Sequence, residues 1–134
     1  MKKDIEFPKV EGVKIAVTLQ VDEFENEFWD VQIINRNSFA IENVMVTSRG
    51  FGEKDGESIK TSILRHFIEN LPAQSIAKIE AIQPELFAIN NEYWVSYYVD
   101  NKLFDKKFLF LPDSIVKENF IEIKPFGLIG VLHE

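Results

Sequence analysis

The sequence predicts an all-β fold: an antiparallel β-sandwich of seven to eight strands, with at most one short helix near the C-terminus. Three observations carry that prediction. Apolar and polar residues alternate along most of the chain, which is the period of a half-buried strand. Turn-forming residues recur every ten residues or so, the spacing of short strands in a sandwich. The 12 phenylalanines fall in alternating runs, which suit a pleated surface better than a helix.

Length and composition set the outer bounds. The 134 residues make one domain, 1–134. A chain of that size can bury a core without staples. Hydrophobic residues are 46% and charged residues 28%, ordinary for a globular protein. The net charge of −7 and a pI near 4.9 repel a phosphate backbone. Lys106 and Lys107 are a local basic spot, not a basic stripe with interleaved aromatics, so nucleic acid is excluded as a partner. With no cysteine, disulfides, thiolate catalysis and Cys-based zinc or iron–sulfur sites are excluded. No cofactor or metal is expected. The N-terminal MKKDIEFPKVEG lacks an apolar core, so no signal peptide is expected. No run approaches ~18 apolar residues, so no membrane span is expected either. The expected location is cytoplasmic.

Taken in order, Val10 to Val21 reads as a first strand, with Val13, Ile15, Val17, Leu19 and Val21 on one face and Lys14, Thr18 and Gln20 on the other. Asp22 to Glu27 is an acidic turn. Phe28 to Asn35 follows with Trp29, Val31 and Ile33 inward, Asp30 and Gln32 outward, forming a meander hairpin with the first strand. Asn35 to Ser38 is loop chemistry, short polar side chains that bond to their own backbone. Ile41 to Arg49 is a third strand with Val44 and Val46 inward. Gly50 to Glu57 reads as a turn region whose three glycines supply positive φ. Ile59 to Asn70 fits two periods, helical through Ile59, Ile63 and Phe67 or alternating through Ile63, Arg65 and Phe67; its flanks favour strands at 61–68 and 75–82. Pro84 to Asn91 is a connection with at most one helical turn.

Tyr93 to Leu111 is the strongest hairpin. A turn on Asn101–Lys102, or a loop over Asp100 to Leu103, sets Val99 opposite Phe104, Val95 opposite Phe108 and Tyr93 opposite Phe110. Centring the turn on Asp100–Asn101 instead sets Val95 against Lys106 and Val99 against Lys102, which mixes the faces and is disfavoured. Beyond it, Asp113 or Ser114 caps a short helix over Ile115 to Asn119. Phe120 to Pro125 is a last short strand, and the apolar tail Phe126 to Leu132 packs on the sandwich.

The stretch FWDVQIINRNSFAIENVMVTSRG resembles the B–C strand region of immunoglobulin-like domains: an inward Trp29, a strand, an Asn-rich turn, a strand. NLPAQSIAKIEAI resembles the proline-bearing turn and strand midway in such modules. This resemblance runs from Val13 to Leu111 and implies an immunoglobulin-like sandwich without the antibody disulfide. LRHFIENLPAQS and NNEYWVSYYVDNKLFDKKFLFL resemble a family of small uncharacterised bacterial proteins, some of whose members carry a phenylalanyl-tRNA synthetase label. That synthetase's catalytic domain has signature arginines in long antiparallel strands. This chain has Arg36, Arg49 and Arg65 only, so the resemblance implies no such activity.

Few residues suggest chemistry. Arg65 and His66 lie beside Glu69, which could orient an imidazole as a general base needs. A base also needs a nucleophile and an oxyanion donor. Ser58, Ser62, Ser75 and Ser96 sit in no G-x-S-x-G elbow. His133, next to the end, is expected to fray. Asp22, Glu23, Glu25, Glu27 and Asp30 lack the spacing and glycine of an EF-hand loop and read as a solvated turn. Gly50-Phe51-Gly52 with Lys54 and Gly56 is followed by Glu57 where a phosphate loop needs Ser or Thr. The mixed face of the last hairpin, Trp94, Tyr98 and Leu109, is the binding candidate, unless Ile115 to Leu132 packs over it. The expectation is a small non-catalytic module that binds a protein partner or itself as a homodimer. The alternative is a small enzyme or ligand-binding protein with a site around Arg65, His66 and Glu69.

Overall fold

Alternation is borne out as strand over most of residues 9–133, which the computed structural model describes. The first eight residues of the MKKDIEFPKVEG segment lie outside the described range. One sheet is built from β1 (Val13–Val21), β2 (Glu27–Asn35), β6 (Ser75–Ala81), β9 (Ile121–Ile123) and β10 (Leu128–His133). Its order is β6-β2-β1-β10-β9, all antiparallel. The second sheet holds β3 (Ile41–Lys54), β4 (Glu57–Lys60), β5 (Leu64–Leu71), β7 (Asn90–Val99) and β8 (Lys102–Phe110). Here β3 pairs with β7 on one side and with β5, then β4, along the other, and β8 lies beyond β7.

The two sheets enclose a core that follows strand parity. Val13, Ile15, Val17, Val31 and Ile33 of the first sheet meet Ile41, Val44, Val46, Tyr93, Val95, Phe108 and Phe110 of the second, all buried. Trp29 closes one end of this core, edge-on to Phe87 at 4.9 Å and to Phe120 at 5.8 Å. Asn35, fully buried at the end of β2, donates to the carbonyls of Phe39, Leu71 and Pro72 and accepts from Asn37. The Asn-rich loop is thereby locked against the turn between β5 and β6.

Five details differ from the sequence reading. There are two more strands, β4 and β10. β3 runs on through Gly50 and Gly52 to Lys54, so the turn shrinks to Asp55–Gly56, and of the three glycines only Gly56 has positive φ. The other two make room: a Cβ on either would press on Ile89. The expected helix over Ile115–Asn119 is a single 3-10 turn at Lys117–Asn119, with no side-chain cap from Asp113 or Ser114. Ser114 instead donates to the Leu111 carbonyl. His133 does not fray; it belongs to β10 and packs edge-on against Phe108 and Phe110. The doubtful segment at 59–70 is extended, divided between β4 and β5.

The fifth difference is the register of the β7–β8 hairpin. Val99 faces Lys102, Val95 faces Lys106 and Tyr93 faces Phe108, the pairing that the sequence disfavoured. The turn decides it. Asp100 and Asn101 both adopt positive φ, 50° and 65°, as a two-residue type I′ connection requires, and Asp and Asn tolerate that region where Lys does not. Because the shift is two residues, every side chain keeps its face. Lys102 and Lys106 have the inner parity in either register; Lys106 sets its Nζ 4.8 Å above the Phe108 ring.

The C-terminal segment does not cover Trp94 and Tyr98 on the outer face of the hairpin. Ile123, Phe126, Leu128 and Leu132 pack with Ala16 and Ile34 on the outer face of the first sheet. Gly130 permits this, because its backbone approaches β1 so closely that a Cβ would strike the Val17 carbonyl.

The turn assignment has a direct test in urea denaturation. Asp100→Val places a β-branched residue at positive φ and is expected to cost ~1–3 kcal/mol. Lys102→Val, on an exposed strand position, is expected to change stability by no more than ~0.5 kcal/mol.

Candidate functional site

A β-bulge creates the main polar cluster. Along β6, Lys78 pairs with Gln32 and Glu80 with Val31, leaving Ile79 as the extra residue. Simple alternation would put Glu80 on the outer face with Lys78. Ile79 keeps the inward parity of Ala77, and the bulge reverses the parity after it, so Glu80 turns inward too, opposite the core residue Val31. Lys78 stays outside, 3.4 Å from Asp30 Oδ1, while Gln20 donates to Asp30 Oδ2 at 2.8 Å.

Inside, Glu80 meets three donors from the opposite sheet. The Ser48 hydroxyl donates to Oε1 at 2.8 Å from β3. The His66 Nε2 lies 2.7 Å from the same oxygen, from β5. The Tyr93 hydroxyl donates from β7. Ser48 and Tyr93 are register partners, and each is almost wholly buried. Burial, then the Glu80 charge and hydrogen bond, raise the Tyr93 phenol far above its usual range. Tyr97, two residues on, is pushed up to about 12 by burial and by Glu11.

Glu80, Ser48 and Tyr93 line a cleft of about 230 Å³ with Thr61, Gln83 and Asn91. The order of groups decides what chemistry this set performs. A serine nucleophile needs the imidazole between hydroxyl and carboxylate. Here the carboxylate lies between serine and imidazole, so His66 is not placed to take the Ser48 proton. The arrangement is a carboxylate held by three donors, which joins β6 of one sheet to β3, β5 and β7 of the other.

The trio of Arg65, His66 and Glu69 is not brought together. All three lie on β5, where His66 has the inner parity and Arg65 and Glu69 the outer, exposed one. The partner of His66 is Glu80, 14 residues along the chain. The one signal that could have found it is β6 itself: SIAKIEA carries a glutamate where an edge strand meets the core, but the bulge leaves no mark in the alternation.

The outer face of the second sheet is the other candidate. Trp94 and Tyr98 are 45% and 40% exposed, and Phe67 and Leu103 beside them are 58% and 49% exposed. Trp94, Tyr98, Met45, Thr47, Ser96 and Asp105 line a shallow depression of about 490 Å³. The Lys107 Nζ lies 4.7 Å above the Trp94 ring. Leu109 has the same parity and is half-buried at the end of the face, next to Glu92, which holds Arg49 at 3.0 Å.

The remaining candidates resolve into structure. Asp22 accepts the backbone N–H groups of Phe24 and Asn26 and so shapes the acidic turn. Among the described residues, no group of three or more His, Cys, Asp or Glu could hold a metal ion, and no helix is long and apolar enough to cross a membrane. No family model, no curated protein and no solved structure matches this chain.

Removing the carboxylate isolates two buried donors. Glu80→Ala is expected to cost ~2–4 kcal/mol in urea denaturation, and Glu80→Gln about half of that, since its amide carbonyl still accepts. The tyrosines add an alkaline dependence. Unfolded phenols ionise near 10, whereas Tyr93 and Tyr97 stay protonated above it in the fold. The native chain then binds more protons than the unfolded one, so stability falls as pH rises from 10 towards 12, at up to about 2.7 kcal/mol per pH unit for two groups. Tyr93→Phe should remove about half of that slope, read from unfolding curves between pH 8 and 12.

Proposed function

We propose that this protein is a non-catalytic protein-interaction module that binds through the outer face of its second sheet. The observation that supports this most is the set of exposed large apolar side chains, Phe67, Trp94, Tyr98 and Leu103, around the half-buried Met45 on four neighbouring strands. Singly exposed apolar residues are ordinary, but a contiguous patch with a polar rim marks a contact surface. Aromatic anchors on strands are rigid and lose little side-chain freedom on binding. We read the sandwich as immunoglobulin-like, on the inward Trp29 that closes one end of its core, and as a cytoplasmic protein.

The cleft beside Glu80 supports a second reading, a small-ligand site. It is the weaker one, because Ser48, His66 and Tyr93 already satisfy the carboxylate.

The interaction reading is tested with Trp94→Ser/Tyr98→Ser in the full chain. Both positions are exposed, so the thermal midpoint should stay within a few degrees of the parent. Binding to whatever protein the parent engages, including another copy of itself, should weaken at least ~100-fold, as loss of two aromatic anchors implies. Titration calorimetry against the purified partner, or sedimentation for self-association, reads the change. Equal binding by parent and variant would remove the face from consideration.

A further inference from the structure

We infer that the occupant of this face is a second copy of the same chain, packed face to face about a two-fold axis that runs across the strands. The inference rests on the reading of the outer face as a contact surface and adds the identity of the partner. It follows from the order of side chains in the register.

Read across β5, β3, β7 and β8, the outer face forms rows. One row is Arg65, Thr47, Trp94 and Lys107, and the next is Phe67, Met45, Ser96 and Asp105. Flanking them are Arg49, Glu92 and Leu109 on one side, and Glu69, Glu42, Tyr98 and Leu103 with the bulge residue Asn43 on the other. Neighbouring rows lie ~6.7 Å apart and neighbouring strands ~4.8 Å apart.

Place the axis between the Trp94 row and the Ser96 row. Each row then meets the adjacent row of the second copy, strand upon like strand. Lys107 meets Asp105 of the second copy, and by symmetry Asp105 meets its Lys107. Arg65 lies over the ring of Phe67, Trp94 fills the space above Ser96, and Met45 meets Thr47. In the outer rows Leu109 meets Leu103, and Glu92 meets the hydroxyl of Tyr98. Opposite charges meet, a cation meets a ring, and the largest side chain meets one of the smallest. A self-complementary patch of this kind is what an isologous dimer needs. Turning the axis parallel to the strands gives the opposite result: Arg65 meets Lys107, and Phe67 meets Asp105.

The size of the face sets the strength. Four strands by four rows project to roughly 500 Å² per copy, so roughly 1,000 Å² is covered in all, at the lower end of specific interfaces. A weak dimer, forming between ~1 µM and ~1 mM, is the expected result.

Sedimentation equilibrium of the full chain from ~1 µM to ~1 mM tests this. The parent should dimerise within that range. Lys107→Asp and Asp105→Lys each create two like-charge pairs and should weaken association at least ~10-fold. An equimolar mixture of the two variants restores both attractions and should associate about as tightly as the parent. Unchanged far-ultraviolet dichroism shows that each variant is folded. A parent that stays monomeric to ~1 mM overturns the inference, as do single variants that dimerise like the parent or a mixture that fails to recover. A monomeric parent that still loses a different protein partner on Trp94→Ser/Tyr98→Ser overturns the second copy alone and leaves the broader contact surface standing.

Discussion

One extra residue in β6 determines how the two layers are joined at their open side. Apolar packing between sheets is strong but has no direction, and it would tolerate small slides of one layer on the other. The bulge at Ile79 turns the Glu80 carboxylate into the interior, where hydroxyl and imidazole donors from three strands of the opposite layer converge on it. A charge at that depth is tolerable only with its partners in place, so the cluster fixes one alignment of the layers. The cleft, the burial of Tyr93 and the inward orientation of His66 all follow from that alignment.

Strand faces and the two hairpins were legible in the sequence, and the residue-by-residue register of the second hairpin was not. Side-chain parity has a period of two, so an error of two residues, as in the β7–β8 hairpin, leaves Trp94 and Tyr98 outside and Tyr93 and Val95 inside. The true partners depend on the positive φ of Asp100 and Asn101, a backbone preference that a comparison of faces does not weigh. A bulge is an error of one residue, and it moved Glu80 from the solvent side to the core. The polar cluster was therefore invisible, while the aromatic face could be named residue by residue. The destination of the C-terminal segment was also out of reach. Its apolar residues fit either layer, and the close approach of Gly130 to β1 commits them to the first.

The two candidate sites thus have different standing. Glu80 and its donors are saturated by one another and hold the fold. The outer face of the second sheet is saturated by nothing in the described chain, yet its side chains are spaced by β5, β3, β7 and β8 as regularly as those of the core. Order without burial is costly to keep unless something binds there, and rigidity in advance of binding lowers the entropy lost on contact.

Lys106 bears on how such contact is made. β8 ends the second sheet and presents its free edge over nine residues, long enough to accept a strand from another molecule and start open-ended growth. Midway along that edge, the inner parity holds an ammonium instead of an apolar group, beside the Phe108 ring. A strand added there would extend the second sheet past Lys106 and strip water from its charge. That lysine therefore guards the edge against aggregation, and leaves the broad face as the surface on which the molecule can safely be sticky.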